Sequence, residues 1–196
     1  MSSTTSPPPP PHEQRRRATD VPGGQPHHLH VAEWANLMMT RTHPAAWLWL
    51  SLAVIVLDQV TKFLVTRFID LYERVFVLPV LDFTLLHNTG AAFSLLADAS
   101  GWQRGFFITL GLAVSVGLVA WIWRLPRGER LLPIALALIV GGAVGNVIDR
   151  VLHGYVIDFI HAHWGGAYFP AFNIADSAIT IGAGLLLLDA FREHRA

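Results

Sequence analysis

The chain has 196 residues, 53% of them hydrophobic and only 14% charged, with mean hydropathy +0.43 and a formal net charge of zero. That is too apolar for an ordinary soluble domain of this length, and the neutral balance leaves no basic footprint for a nucleic acid partner. There is no cysteine, which excludes disulfide and thiolate chemistry.

Residues 1–30 hold the run Pro7–Pro11, the basic triplet Arg15–Arg17 and the stretch VPGGQPHHLH. Such a composition cannot bury a core and reads as a disordered, partly polyproline arm. It is no signal peptide, because no apolar run follows the basic residues directly. Within 31–43, VAEWANLMM is expected to form a short helix at a membrane surface. The domain boundary therefore falls between an arm, 1–43, and a membrane domain, 44–196.

Four segments approach the ~20 apolar residues that a bilayer demands: Ala45–Thr66, Gly105–Trp123, Leu131–Ile148 and Ile174–Ala190. Seven tryptophans suit interfacial anchoring. With four spans both termini share a side. The arm, the 124–130 loop and the tail carry nine arginines among them, and the other side carries Arg67, Arg74, Arg104 and Arg150. The richer side is expected to be cytoplasmic, so the 67–104 and 149–173 loops face outward. The first of these, RVFVLPVLDFTLLHNTGAAFSLL, reads as two or three short strands resting on the membrane, with a turn signal at Asn88-Thr89-Gly90. The second is aromatic and Gly-rich and is expected to lie at the interface. The fold class is thus a membrane all-α, four-helix bundle with a small β element on its outer face.

The polar residues inside this apolar frame fall at one depth. Asp58 and Lys62, the only lysine, share a helix face near the outer end of the first span. Asn146, Asp149 and Arg150 lie at the outer end of the third span. Asp158 sits in VIDFI, and Asp176, three residues after Asn173, opens the fourth span. Each has an ordinary explanation alone. Asp58–Lys62 can be an ion pair or a snorkelling anchor. Asn146 to Arg150 can simply end a helix. Asn173 can be an N-cap with Asp176 at the third helical position, where an acid complements the dipole. Asp158 has poor reasons to stand between Val156-Ile157 and Phe159-Ile160. The coincidence of depth argues against the ordinary readings jointly, since ionisable groups in a bilayer are expensive.

The chemistry open to this cluster is limited. Ser94 and Ser177 lack a partnered base. His161 and His163 are spaced to ligate a metal on a strand, but no HExxH helix is present and interfacial histidine is the simpler reading. No metal or other cofactor is expected. Asp158 and Asp176 remain as a pair. Two carboxylates held close cannot both ionise comfortably, so they share a proton; one can activate water while the other donates to a carbonyl oxygen.

The blocks DQVTKF (58–63), NTGAAFS (88–94), GGAVGNVIDR (141–150), VIDFI (156–160) and FNIADSAI (172–179) resemble, in order, those of the lipoprotein signal peptidases, the type II signal peptidases of the bacterial inner membrane. The resemblance covers about residues 45–190. It implies an aspartyl endopeptidase that cuts a diacylglyceryl-modified prolipoprotein just before its lipidated Cys. It implies Asp158 and Asp176 as the catalytic dyad, with Asp58, Lys62, Asn88, Asn146, Arg150 and Asn173 as polar partners and Asp149 as structural support. The roles expected are Asn146 and Asn173 bonding the dyad or the scissile backbone, Asn88 holding substrate from a tight turn, Arg150 tying spans through bidentate bonds, and Asp58 with Lys62 locking the first span. The partners implied are prolipoproteins and membrane lipid, with no nucleic acid, and the chain is expected to act as a monomer. The long arm matches nothing in the family. Rival readings are a small transporter, whose acids should lie nearer the midplane, and a scaffold without chemistry, which leaves Asp158 unexplained. The GxGD block of presenilin-type proteases is absent.

Overall fold

The computed structural model describes residues 43–90 and 101–193. The arm and the short helix expected within 31–43 lie essentially outside them. A 3-10 turn, Pro44–Trp47, leads into α1 (Leu48–Phe68); α2 (Trp102–Arg124), α3 (Leu131–Leu152) and α4 (Ile174–Glu193) follow. All four are long and apolar enough to cross a membrane. The last three enclose the spans expected from the sequence, and α1 does so together with the 3-10 turn before it. α3 runs four residues further than Ile148, so Asp149 and Arg150 are still helical. It stops where His153 and Gly154 turn their N–H groups back on the Asp149 and Arg150 carbonyls, with Gly154 at φ +87°. A left-handed residue at that position favours glycine.

α3 is the central helix, packed against α1, α2 and α4, and it is the most buried of the four. Its glycines make this possible. A Cβ on Gly141 would come within 2.9 Å of the Ser51 carbonyl oxygen of α1, one on Gly145 within 2.8 Å of Asp58 Oδ2, and one on Gly142 would overlap the Ala175 carbonyl of α4. Small residues let backbones approach where lipid gives no hydrophobic drive. α2 and α4 both rest on α3 and make little contact with each other. Leu52, Phe63, Val116 and Leu187 are among many apolar side chains left on the outside of the helices, as a bilayer-facing surface requires.

At the end of the bundle where α1 stops and α4 starts lies an antiparallel sheet in the order β1-β2-β3-β4. Its strands are β1 (Arg74–Leu78), β2 (Leu81–Asn88), β3 (Val156–Trp164) and β4 (Ala167–Tyr168). The first loop supplies two strands, but the hairpin reverses at Pro79-Val80, where proline presets φ. Asn88-Thr89-Gly90 instead ends β2. The second loop supplies the other two strands, which its aromatic and Gly-rich composition concealed. Asp158 stands opposite Leu86 in the β2–β3 ladder. Val65, Leu85, Ile157 and Phe159 form a small core that joins α1 to β2 and β3. Arg74, Asp82 and His163 form a polar clasp across three strands, with the Arg74 guanidinium over the Tyr168 ring of the fourth.

One backbone conformation stands out. Tyr72 has φ +68°, with its N–H bonded to the Leu85 carbonyl at 2.9 Å and Glu73 N–H closing back on Asp70. A non-glycine residue there carries a penalty of roughly 1–2 kcal/mol.

Candidate active site

The two acids singled out from the sequence reach the site by different routes. Asp158 is carried on β3, whose first four residues are buried; Asp176 is carried on the first turn of α4. Asn173 is the hinge between them. Its Oδ1 accepts the Asp176 backbone N–H at 2.8 Å, so it caps α4 as the sequence suggested. The same side chain donates Nδ2 to Asp158 Oδ1 at 2.8 Å. Asn173 thus caps α4 and bonds Asp158 with one side chain.

Two further asparagines repeat this pattern. Asn146 Oδ1 accepts from Lys62 Nζ at 3.2 Å, and its Nδ2 donates to Asp176 Oδ1 at 2.7 Å. Asn88 Oδ1 accepts the Gly90 N–H at 2.8 Å, and its Nδ2 donates to Asp158 Oδ2 at 2.9 Å. In each case the amide oxygen faces a group that can only donate, an ammonium or a backbone N–H. The NH2 end is therefore forced toward a carboxylate. Asn173 also donates to Asn146 Oδ1 at 3.2 Å, so Asp158, Asn173, Asn146 and Asp176 form one hydrogen-bonded chain.

Behind it lies a buried ionic layer. Lys62, 1% exposed, pairs with Asp58 and with Asp149 at 2.8 Å each. Asp58 Oδ1 accepts the Ala175 N–H at 2.9 Å, and Asp149 Oδ2 accepts the Ile157 N–H at 3.0 Å. The layer thus locks α1, α3, α4 and β3 together, and each charge is both paired and hydrogen-bonded, as burial demands. Gln59 belongs to it as well. Its Nε2 reaches Asp149 Oδ1 at 2.8 Å and Asp58 Oδ2 at 3.2 Å. Sequence reasoning missed Gln59, although a carboxamide inside an apolar span carries the same warning as an acid there.

All nine residues named from the sequence meet in this network, though two do so differently from expectation. Among the described residues Arg150 makes no bidentate bond. It donates to the Asn146 carbonyl at 3.2 Å and lies over the Phe107 ring of α2 at 4.8 Å. Asn88 is engaged by Asp158 itself.

Cavities flank the acids. One, of about 720 Å³, is lined by Asp158, Asn88, Arg150, Tyr72, His87 and Pro170 among others. A second, of about 530 Å³, is lined by Asp176, Thr180, Ile181 and Phe172 and shares Pro170 and Ala171 with the first. Burial lifts the Asp158 carboxyl to about 6; the amides of Asn88 and Asn173 oppose the rise, and the nearby Asp176 charge adds to it.

Comparison with known proteins agrees with this geometry. Residues 50–192 match the signal peptidase II family. The chain is 55% identical over 149 residues to a lipoprotein signal peptidase of Acinetobacter baumannii, covering 76% of this chain and 85% of that one. It is 53% identical over 152 residues to that of Pseudomonas aeruginosa, covering 76% and 90%. Among solved structures, a bacterial membrane enzyme determined by the in meso method at 2.3 Å superposes with a TM-score of 0.68 at 33% identity, over 76% of this chain and 89% of that chain. The chain belongs to the signal peptidase II family, the aspartic peptidases that remove signal peptides from prolipoproteins.

Proposed function

We propose that Asp158 and Asp176 are the catalytic pair and that the substrate is a diacylglyceryl-modified prolipoprotein cut just before its lipidated Cys. The observation that carries this reading is the chain Asp158–Asn173–Asn146–Asp176, in which every amide is held with its NH2 toward a carboxylate. The pair is taken to share one proton, with Asp158 as the acid and Asp176 as the base. Asp176 takes a proton from water as the water oxygen attacks the scissile carbonyl carbon. Asp158 gives its proton to the carbonyl oxygen, leaving a neutral gem-diol. The proton on Asp176 then passes to the amide nitrogen, one diol hydroxyl returns its proton to Asp158, and the C–N bond breaks. No covalent intermediate is formed. The signal peptide is proposed to reach the pair laterally, through the gap that α2 and α4 leave over α3.

The site is proposed to lie near the outer face of the inner membrane, with both ends of the four-span domain cytoplasmic and the enzyme active as a monomer. A gel-shift assay with purified protein in detergent tests the central claim. Lipidated prolipoprotein should be cut and the unlipidated form spared. Asp158→Asn and Asp176→Asn should each lower the rate by at least ~10²-fold while the protein stays folded. Activity retained in either variant removes the dyad.

A further inference from the structure

The strained residue Tyr72 lines the same cavity as Asp158. A turn that needs a left-handed residue ordinarily takes Gly or Asn, which adopt it at little cost. Here the position holds an aromatic side chain that is 71% exposed. The ring therefore does not compensate the strain by packing in a core. The backbone around it is fixed from both sides, by Tyr72 N–H on Leu85 and by Glu73 N–H on Asp70, with Asp70 N–H on Glu73 Oε2 at 2.7 Å. An exposed aromatic on a fixed, strained turn at the rim of a cavity beside Asp158 is the arrangement expected of a binding contact.

We infer that Tyr72 is a substrate-contacting residue that packs on the first residues of the mature chain, just beyond the cut, and helps to select them. This rests on the peptidase reading above. The cavity that Tyr72 lines is built largely from strand ends and loops, Leu86 to Gly90 and Pro170-Ala171. The neighbouring cavity reaches down α4 to Thr180 and Ile181. The apolar signal segment belongs with the helices, which leaves the strand-lined cavity for the chain on the other side of the scissile bond. At about 720 Å³ it holds a few extended residues.

The test uses the whole enzyme in detergent, with lipidated prolipoprotein substrates that either continue beyond the Cys or end at it. Tyr72→Gly and Tyr72→Asn both tolerate the left-handed turn. Each should unfold at the same or a higher temperature than wild type, yet raise KM on the long substrate about 2- to 10-fold, with kcat within twofold. On the substrate ending at Cys that difference should vanish. Tyr72→Phe keeps the ring and should match wild type on both. Unchanged KM on the long substrate in both variants overturns the inference, as does an equal rise on both substrates. Failure of wild type to cut either substrate overturns the peptidase reading instead, and is distinguishable because it does not depend on Tyr72.

Discussion

At the scale of single residues, the site depends on which end of each asparagine faces the acids. Lys62, Gly90 N–H and Asp176 N–H settle that for Asn146, Asn88 and Asn173. Asn88 stabilises the ionised form of Asp158, so its loss lets the carboxyl keep its proton to higher pH. In kcat/KM profiles, Asn88→Ala should therefore move the alkaline limb, set by the dyad and near or above pH 6 in wild type, to higher pH. A limb that stays put or falls contradicts the arrangement. Lys62→Met leaves Asp58 and Asp149 buried without their cation, a loss of about 3–5 kcal/mol that should appear as a much lower Tm. Adding Asp58→Asn should return part of the stability but little activity, because Asn146 is no longer held from behind. The acids and Asn173 were legible from sequence because charge and amide stand out in an apolar chain. The orientation of the amides was not, since each is set by a partner from a distant segment.

The helices were the most legible elements. A run of some twenty apolar residues has few alternatives, and all four spans lie where hydropathy puts them. The sheet was half legible. β2 alternates and follows a proline turn, whereas β3 finds its partner in a strand about 70 residues away, with Asp158 opposite Leu86. The glycines of α3 were quoted as part of a motif, but their spatial purpose appears only in the packing. Gly142→Ala should separate α3 from α4 at the very turn that carries Asp176, lowering both Tm and activity; Gly184→Ala, with nothing within 4 Å of the added methyl, should change neither. Thermal unfolding and cleavage rates of the two variants check this, and equal behaviour would contradict the close approach.

The described residues, 43–90 and 101–193, form a bundle whose outside suits lipid and whose buried charges gather at one end. A transporter would place such groups nearer the midplane, and a scaffold would have no use for the paired acids; membership of the peptidase family agrees with the position of the cluster. The proposed orientation can be read directly because the chain has no cysteine of its own. A cysteine in place of exposed Trp164 should react with a membrane-impermeant maleimide on intact spheroplasts. One in place of exposed Glu129 should react only after the membrane is opened. The reverse pattern would invert the topology.

Asn173 closes α4 and holds Asp158 with one side chain, and Asp176 arrives on the same helical turn. On the proposed roles of these residues, hydrolytic competence is acquired late in biogenesis. A nascent chain with three spans inserted presents Asp158 and its Asn88 donor without the Asn173 amide or the proposed base, and is expected to be inert. The half-assembled protein, itself a string of apolar segments in the same membrane as its substrates, is spared its own chemistry until the last helix docks.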